Sequence, residues 1–147
     1  MYSPASTSSS SFVLEYADLI DGLTIGAGTG EVGVTQDEET MYIKYVMGGA
    51  TFGFQRSEVD FAAAATSDTE ADHYGISFAV NENLTVSYDN SSSDKATSSV
   101  DEETDSIQAS YTMGNMKIKA HISKSDNEGY SSGADDETKA IDVSWSF

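Results

Sequence analysis

The chain has no cysteine and a single proline. Without thiols there is no disulfide framework and no thiolate metal site. Basic residues are scarce too, 7 Lys and Arg against 25 Asp and Glu, for a formal net charge of -18. A phosphate backbone needs Lys and Arg to neutralise it, so this balance argues against nucleic acid as a partner. No apolar run approaches the roughly eighteen residues that mark a membrane-spanning helix. With a slightly negative mean hydropathy, that rules out a helical membrane protein and nothing more. Residues 1–11, M-Y-S-P-A-S-T-S-S-S-S, have neither the basic start nor the apolar stretch of a secretory leader. They read as a polar flexible tail or as a loop cut from a longer chain. Strong acidity alone would fit a disordered chain, but an aromatic content of 10% argues against disorder.

What the chain does have is period-two alternation. At its end, Ile141, Val143, Trp145 and Phe147 alternate with Asp142, Ser144 and Ser146, the pattern of a strand with one apolar and one polar face. The same pattern predicts strands near 12–17, 23–34, 40–47, 50–60, 73–80, 84–89, 105–113, 116–124 and 137–147, roughly nine in all. Short turns fall near 20, 48, 82 and 115, with Gly48-Gly49 and Gly114-Asn115 as two-residue hairpin signals. The connections between them, 36–39, 61–71, 90–102 and 125–136, are mostly longer and acidic. This short-long rhythm predicts an all-β, up-and-down antiparallel meander. Short turns on one side and longer loops on the other are the habit of transmembrane β-barrels, whose strands face lipid with only alternate residues. Several segments also reach the roughly nine to eleven residues of a tilted spanning strand. A soluble β-sandwich would likewise have an uncharged apolar face. It would spend more Lys and Glu on its opposite face, where this chain places small, weakly polar residues.

Alternation sorts the side chains further. Tyr74, Tyr88, Tyr111, Trp145 and Phe147 lie on the apolar face toward strand ends, where an aromatic girdle at the membrane interface is expected. Lys44, Asp89, Lys117, Lys119, His121, Lys139 and Glu15 are expected on the polar face. Arg56 shares the parity of Phe52 and Phe54, which aims it at the apolar side unless a bulge intervenes. G-A-G-T-G-E at 26–31 has the look of a dinucleotide loop but lies inside a strand pattern with no helix after it. Its glycines read instead as a wall without side chains, where something packs closely. The serines and two histidines carry no triad spacing, so no enzyme is expected.

The terminal V-S-W-S-F resembles the C-terminal assembly signal of Gram-negative outer-membrane proteins. L-T-I-G-A-G-T-G-E-V at 23–32, with the tight-turn meander behind it, resembles the C-terminal half of general porins of the alphaproteobacterial type. The resemblance implies a sixteen-stranded barrel in the bacterial outer membrane, usually a homotrimer, passing small hydrophilic solutes and ions by passive diffusion without a cofactor. Residues 12–147 would then be barrel, with outer-membrane lipid on one side and water on the other. Nine strands cannot close such a barrel. The chain is therefore a C-terminal portion of a porin, favoured by its abrupt polar start, or a complete barrel of about eight strands serving as an anchor or adhesin. In a porin, Lys44, Asp89, Lys117, Lys119, His121 and Lys139 would line the pore. The net acidity suggests a cation preference, with most acids expected in the loops. Asp101, Glu102, Glu103, Asp135 and Asp136 are weak calcium candidates, more simply read as a solvated rim.

Overall fold

The structure is a computed structural model that describes residues 9–17, 19–33, 35–62 and 67–146. Nine strands follow one another: β1 (Ser9–Ala17), β2 (Leu23–Val32), β3 (Gln36–Met47), β4 (Ala50–Phe61), β5 (Thr69–Ala79), β6 (Leu84–Lys95), β7 (Glu102–Met113), β8 (Met116–Asp126) and β9 (Asp136–Trp145). Each pairs antiparallel with the next in one sheet, β1 to β9 in order, and the sheet is left open with β1 and β9 as its edges. At 9 to 12 residues, the strands are about twice as long as the soluble average of roughly five or six. Among the described residues no hydrophobic side chain is buried. The fold is one layer, held by backbone ladders and by contacts between neighbouring side chains.

The turns follow the expected chemistry. Gly48 and Gly114 each take φ +58 at the first position of a two-residue hairpin, the left-handed conformation that a II′ turn asks for and glycine supplies without strain. Between β5 and β6, the Asn81 side-chain oxygen accepts from the Asn83 and Leu84 amides at 2.9 and 3.0 Å, an Asx turn.

At the other end the strands run further than the pattern predicts. β1 begins at Ser9 rather than 12, β3 at Gln36 rather than 40, β5 at Thr69 rather than 73, and β6 continues to Lys95. Residues 36–39 and 90–95, expected in loops, are strand. The ladder bonds are made by the backbone, and charged side chains do not prevent them where both faces are wet. The extension even tolerates like charges opposite one another, in the pairs Glu31↔Asp37, Asp37↔Asp60, Glu39↔Glu58 and Glu58↔Glu70. Such pairs are destabilising on their own, so the register is set by the apolar rows below and carried upward.

The glycine-rich β2 is a true close-packing site. Among the described residues only Gly26 is buried. The Tyr42 ring of β3 lies across it, and a Cβ at Gly26 would stand 2.3 Å from Tyr42 Cε1. The Tyr42 hydroxyl donates to Glu15 Oε2 of β1, so one side chain straps three strands together. Gly26→Val would force the ring away and break that bond. The expected cost is roughly 1–3 kcal/mol of stability, with faster amide exchange along β1. Unchanged exchange in β1 would show that the strap does not hold the edge.

Candidate functional site

The two faces of the sheet are the site, and the register assigns every strand residue to one of them. One face carries the uncharged rows of Ile43, Phe54 and Tyr74; Tyr45, Phe52, Ile76, Tyr88, Ile107 and Ile122; and Ala109, Ala120 and Ile141. These side chains stand open, Ile107 at 62% and Ile141 at 74% exposure.

The apolar band is not parallel to the hydrogen-bonded rows. The row through Leu14 passes Ala27, Met41, Arg56, Asp72, Ser92 and Glu103, and reaches β8 at Asp126. On β8 the apolar residues are instead Met116, Ile118, Ala120 and Ile122. The band therefore slides about one residue per strand. With a rise of about 3.3 Å per residue and strands about 4.8 Å apart, the strands tilt by roughly 35° to the band's normal. That is the tilt of strands in a closed barrel.

This slide explains Arg56. It is on the apolar face, as its parity requires, with the β4–β5 register continuous through it and no bulge. By β4, however, its row has left the band. The guanidinium makes two hydrogen bonds to Asp72, at 2.7 and 2.5 Å, and lies 3.2 Å from Glu70. Around it on the same face stand Glu39, Glu58, Glu70, Asp94, Glu103 and Asp105. The acids are thus not mainly in loops. Many form a collar on the strand extensions, facing outward just beyond the apolar band.

Lys139 is a correction. It was expected on the polar face, but it pairs with Ile122 and shares the parity of Ile141, Val143 and Trp145. The alternation of β9 is unbroken, so Lys139 lies past the apolar end of its strand, where it pairs with Glu137 on the same face. Tyr74 and Tyr88 lie at the loop-side margin of the band, Tyr88 donating to Asp105 at 2.5 Å. Tyr111 and Trp145 lie toward the turn side, opposite Ile118 and Met116. Phe147 is outside the described residues.

The other face is lined by small hydroxyl, amide and glycine positions. It carries Lys44 opposite Gly53, Asp89 opposite Gly75, and Lys117, Lys119 and His121 spaced by two along β8. Across from those three stand Thr112, Ser110 and Gln108 on β7, and Ser144, Asp142 and Ala140 on β9. Gln108 donates to Asp89 at 3.3 Å.

Sequence reasoning missed the connection after β8. Its short 3-10 turn, Glu128–Tyr130, crosses β7 on the polar side. The Tyr130 hydroxyl is 2.7 Å from Ser93 Oγ of β6, and Lys95 Nζ lies 5.7 Å from the centre of its ring. The Gly129 amide donates to Glu102 at 2.7 Å. Tyr130 takes φ +59 and Asn127 φ +57, conformations that bulky residues hold only where their surroundings fix them. The lone aromatic in an acidic connection was the signal available in the sequence. Of the calcium candidates, Glu102 and Glu103 point to opposite faces, and no group of three or more His, Asp or Glu suited to a metal occurs among the described residues.

A single tilted up-and-down sheet with an apolar band outside and small polar side chains inside is the wall of a transmembrane β-barrel. The chain belongs to the Gram-negative porin family, whose model matches residues 2–147. That membership places it in the outer membrane. No curated protein matches it. Among solved structures it is similar to a five-substitution mutant of the Rhodobacter blastica porin, at 14% identity and a TM-score of 0.68 over 95% of this chain and 46% of the other. A three-substitution mutant of the same porin matches at 14% identity and a TM-score of 0.65, over 93% and 45%. The chain thus spans about half the length of these porins.

Two outcomes test this geometry. Arg56→Ala leaves the collar's acids uncompensated, so the folded protein in detergent should melt earlier, and the loss should shrink as added salt screens the repulsion. A salt-independent loss would show that Arg56 acts by packing alone. Tyr130→Phe removes the bond to Ser93. Amides of 127–135 should then exchange faster while β7 and β8 stay protected, and equal rates would show that the hydroxyl does not fix the loop.

Proposed function

We propose that the chain forms part of the wall of a water-filled pore through which small hydrophilic solutes and ions diffuse passively across the outer membrane. The supporting observation is the oblique apolar band. A soluble sheet has no reason to keep an uncharged band at a constant level while its strands tilt through it, whereas a strand set tilted in a bilayer must. The opposite face has the side chains of a wet wall. The nine-stranded open sheet and its half-length match to porins favour a portion of a larger barrel over a complete small anchor. A homotrimer is the assembly this reading takes from the family. Lys44, Asp89, Lys117, Lys119 and His121 would face the water, while Lys139 would face the headgroup level, where a long cationic side chain sits well.

The test is conductance. The full-length protein, folded and inserted into planar lipid bilayers, should give stepwise current increments. Correctly folded protein that inserts yet passes no current would overturn the pore reading and leave an anchor.

A further inference from the structure

The seven cationic side chains of this chain fall into two groups. On the outer face, Arg56 is bound to Asp72 and Glu70, Lys139 to Glu137, and Lys124 stands opposite both Asp105 and Glu137. On the inner face, Lys95 is engaged with the Tyr130 ring. Lys44, opposite Gly53, Lys117 and Lys119 have no carboxylate within ion-pair distance among the described residues, and of these three Lys117 and Lys119 stand together on one strand. They are exposed, two residues apart on β8, and bordered by hydroxyl and amide side chains rather than by acids, except for Asp142 across from Lys119. In the rows from His121 to the turn, these are the only charged groups on the inner face of the described strands. Glu38, Glu102 and Asp136 lie at the opposite, loop-side end of that face. In the rows from His121 to the turn, two lysines against Asp142 leave one net positive charge, in a chain of net charge -18, while the next row of the inner face carries Asp89, which accepts from Gln108 at 3.3 Å.

We propose that Lys117 and Lys119 form an anion-attracting station on the pore wall, drawing small anions such as halides, phosphate and carboxylates toward the turn-side end. This rests on the pore reading above and names the solute class of that same surface. Two ammonium groups facing one carboxylate, Asp142, keep part of their field available to passing ions. The surrounding Ser110 and Thr112 hydroxyls can donate hydrogen bonds to an anion that sheds part of its water. The acidic collar does not oppose this, because it faces outward, with the sheet between it and the water path. Overall acidity is accordingly no guide to selectivity here, and the cation preference that it suggested does not extend to this part of the wall.

The experiment is the reversal potential of the full-length protein in planar bilayers under a gradient of dilute potassium chloride. A unit charge about 8 Å from a permeating ion in water changes its local concentration roughly two-fold. Each lysine raises chloride and lowers potassium by about that factor, so the double variant Lys117→Gln, Lys119→Gln should raise the potassium-to-chloride permeability ratio by roughly sixteen-fold, with open conductance retained. Asp142→Asn should lower the ratio, and Lys117→Arg, Lys119→Arg should leave it unchanged, which separates charge from fold. Normal conductance with an unchanged ratio in the Gln and Asn variants overturns the station and leaves the pore standing. Absence of current from the wild-type protein overturns the pore and the station with it.

Discussion

The constraint on which everything else depends is that this sheet has no inside. A globular domain fixes its register by burying side chains against a second layer, and here no hydrophobic side chain among the described residues is buried. The backbone ladder must carry the fold, and in a medium without water each unpaired backbone group would be costly. Strand follows strand without a crossover because every ladder is closed by its sequence neighbour. The short turns can be as short as two residues because nothing needs to be threaded between them. The open edges of β1 and β9 are the two places where this economy is unmet within the described residues.

Side-chain chemistry then only has to distinguish three surroundings. The band takes aliphatic and aromatic groups, its margins take Tyr and Trp, and beyond it water admits any charge. The collar shows how permissive that last region is, since acid stands opposite acid across consecutive strands. Such rungs would be selected against if they set the register. They are tolerated because the apolar rows below fix it, with Arg56 relieving the strain at one point. The inner face is chosen differently again. Small side chains leave room, and Gly26 leaves so much that a tyrosine from the next strand folds over it.

Much of this was legible from the sequence, for reasons that also mark its limits. Alternation reports faces directly, so strand number, the turns at Gly48, Asn81 and Gly114, and the inner position of Lys117, Lys119 and His121 could be read residue by residue. Strand ends at the loop side could not, because composition changes where lipid stops and the ladder continues past it. Residues 36–39 are four polar residues to a pattern and four paired residues to a backbone. Lys139 failed for a smaller reason: its charge suggested the wet face, although its parity with Ile141 assigned the other. Arg56 was the reverse case, with its face read correctly and its surroundings missed. Parity is a property of one strand, whereas the level of a residue in the membrane depends on how far the whole sheet has tilted by that strand.

That tilt bears on how charge should be read in such a chain. An acid on β5 and one in the same hydrogen-bonded row on β8 stand at different levels, because the band has moved about three residues between them. Summing charges over the sequence mixes these levels and mixes the two faces. Once side chains are placed by face and by level, the surplus of acid belongs largely to the outward collar and the loop-side rim. The few free cations belong to the inner wall near the turns. On that inner face Glu38, Glu102 and Asp136 stand toward the loops, and Lys44, Lys117 and Lys119 stand toward the turns with Asp89 and Asp142 among them, an arrangement that the net charge of -18 conceals. The placement matters physically, since two lysines facing one carboxylate among hydroxyl side chains leave part of their field unneutralised, while on the outer face each cation is answered by an acid.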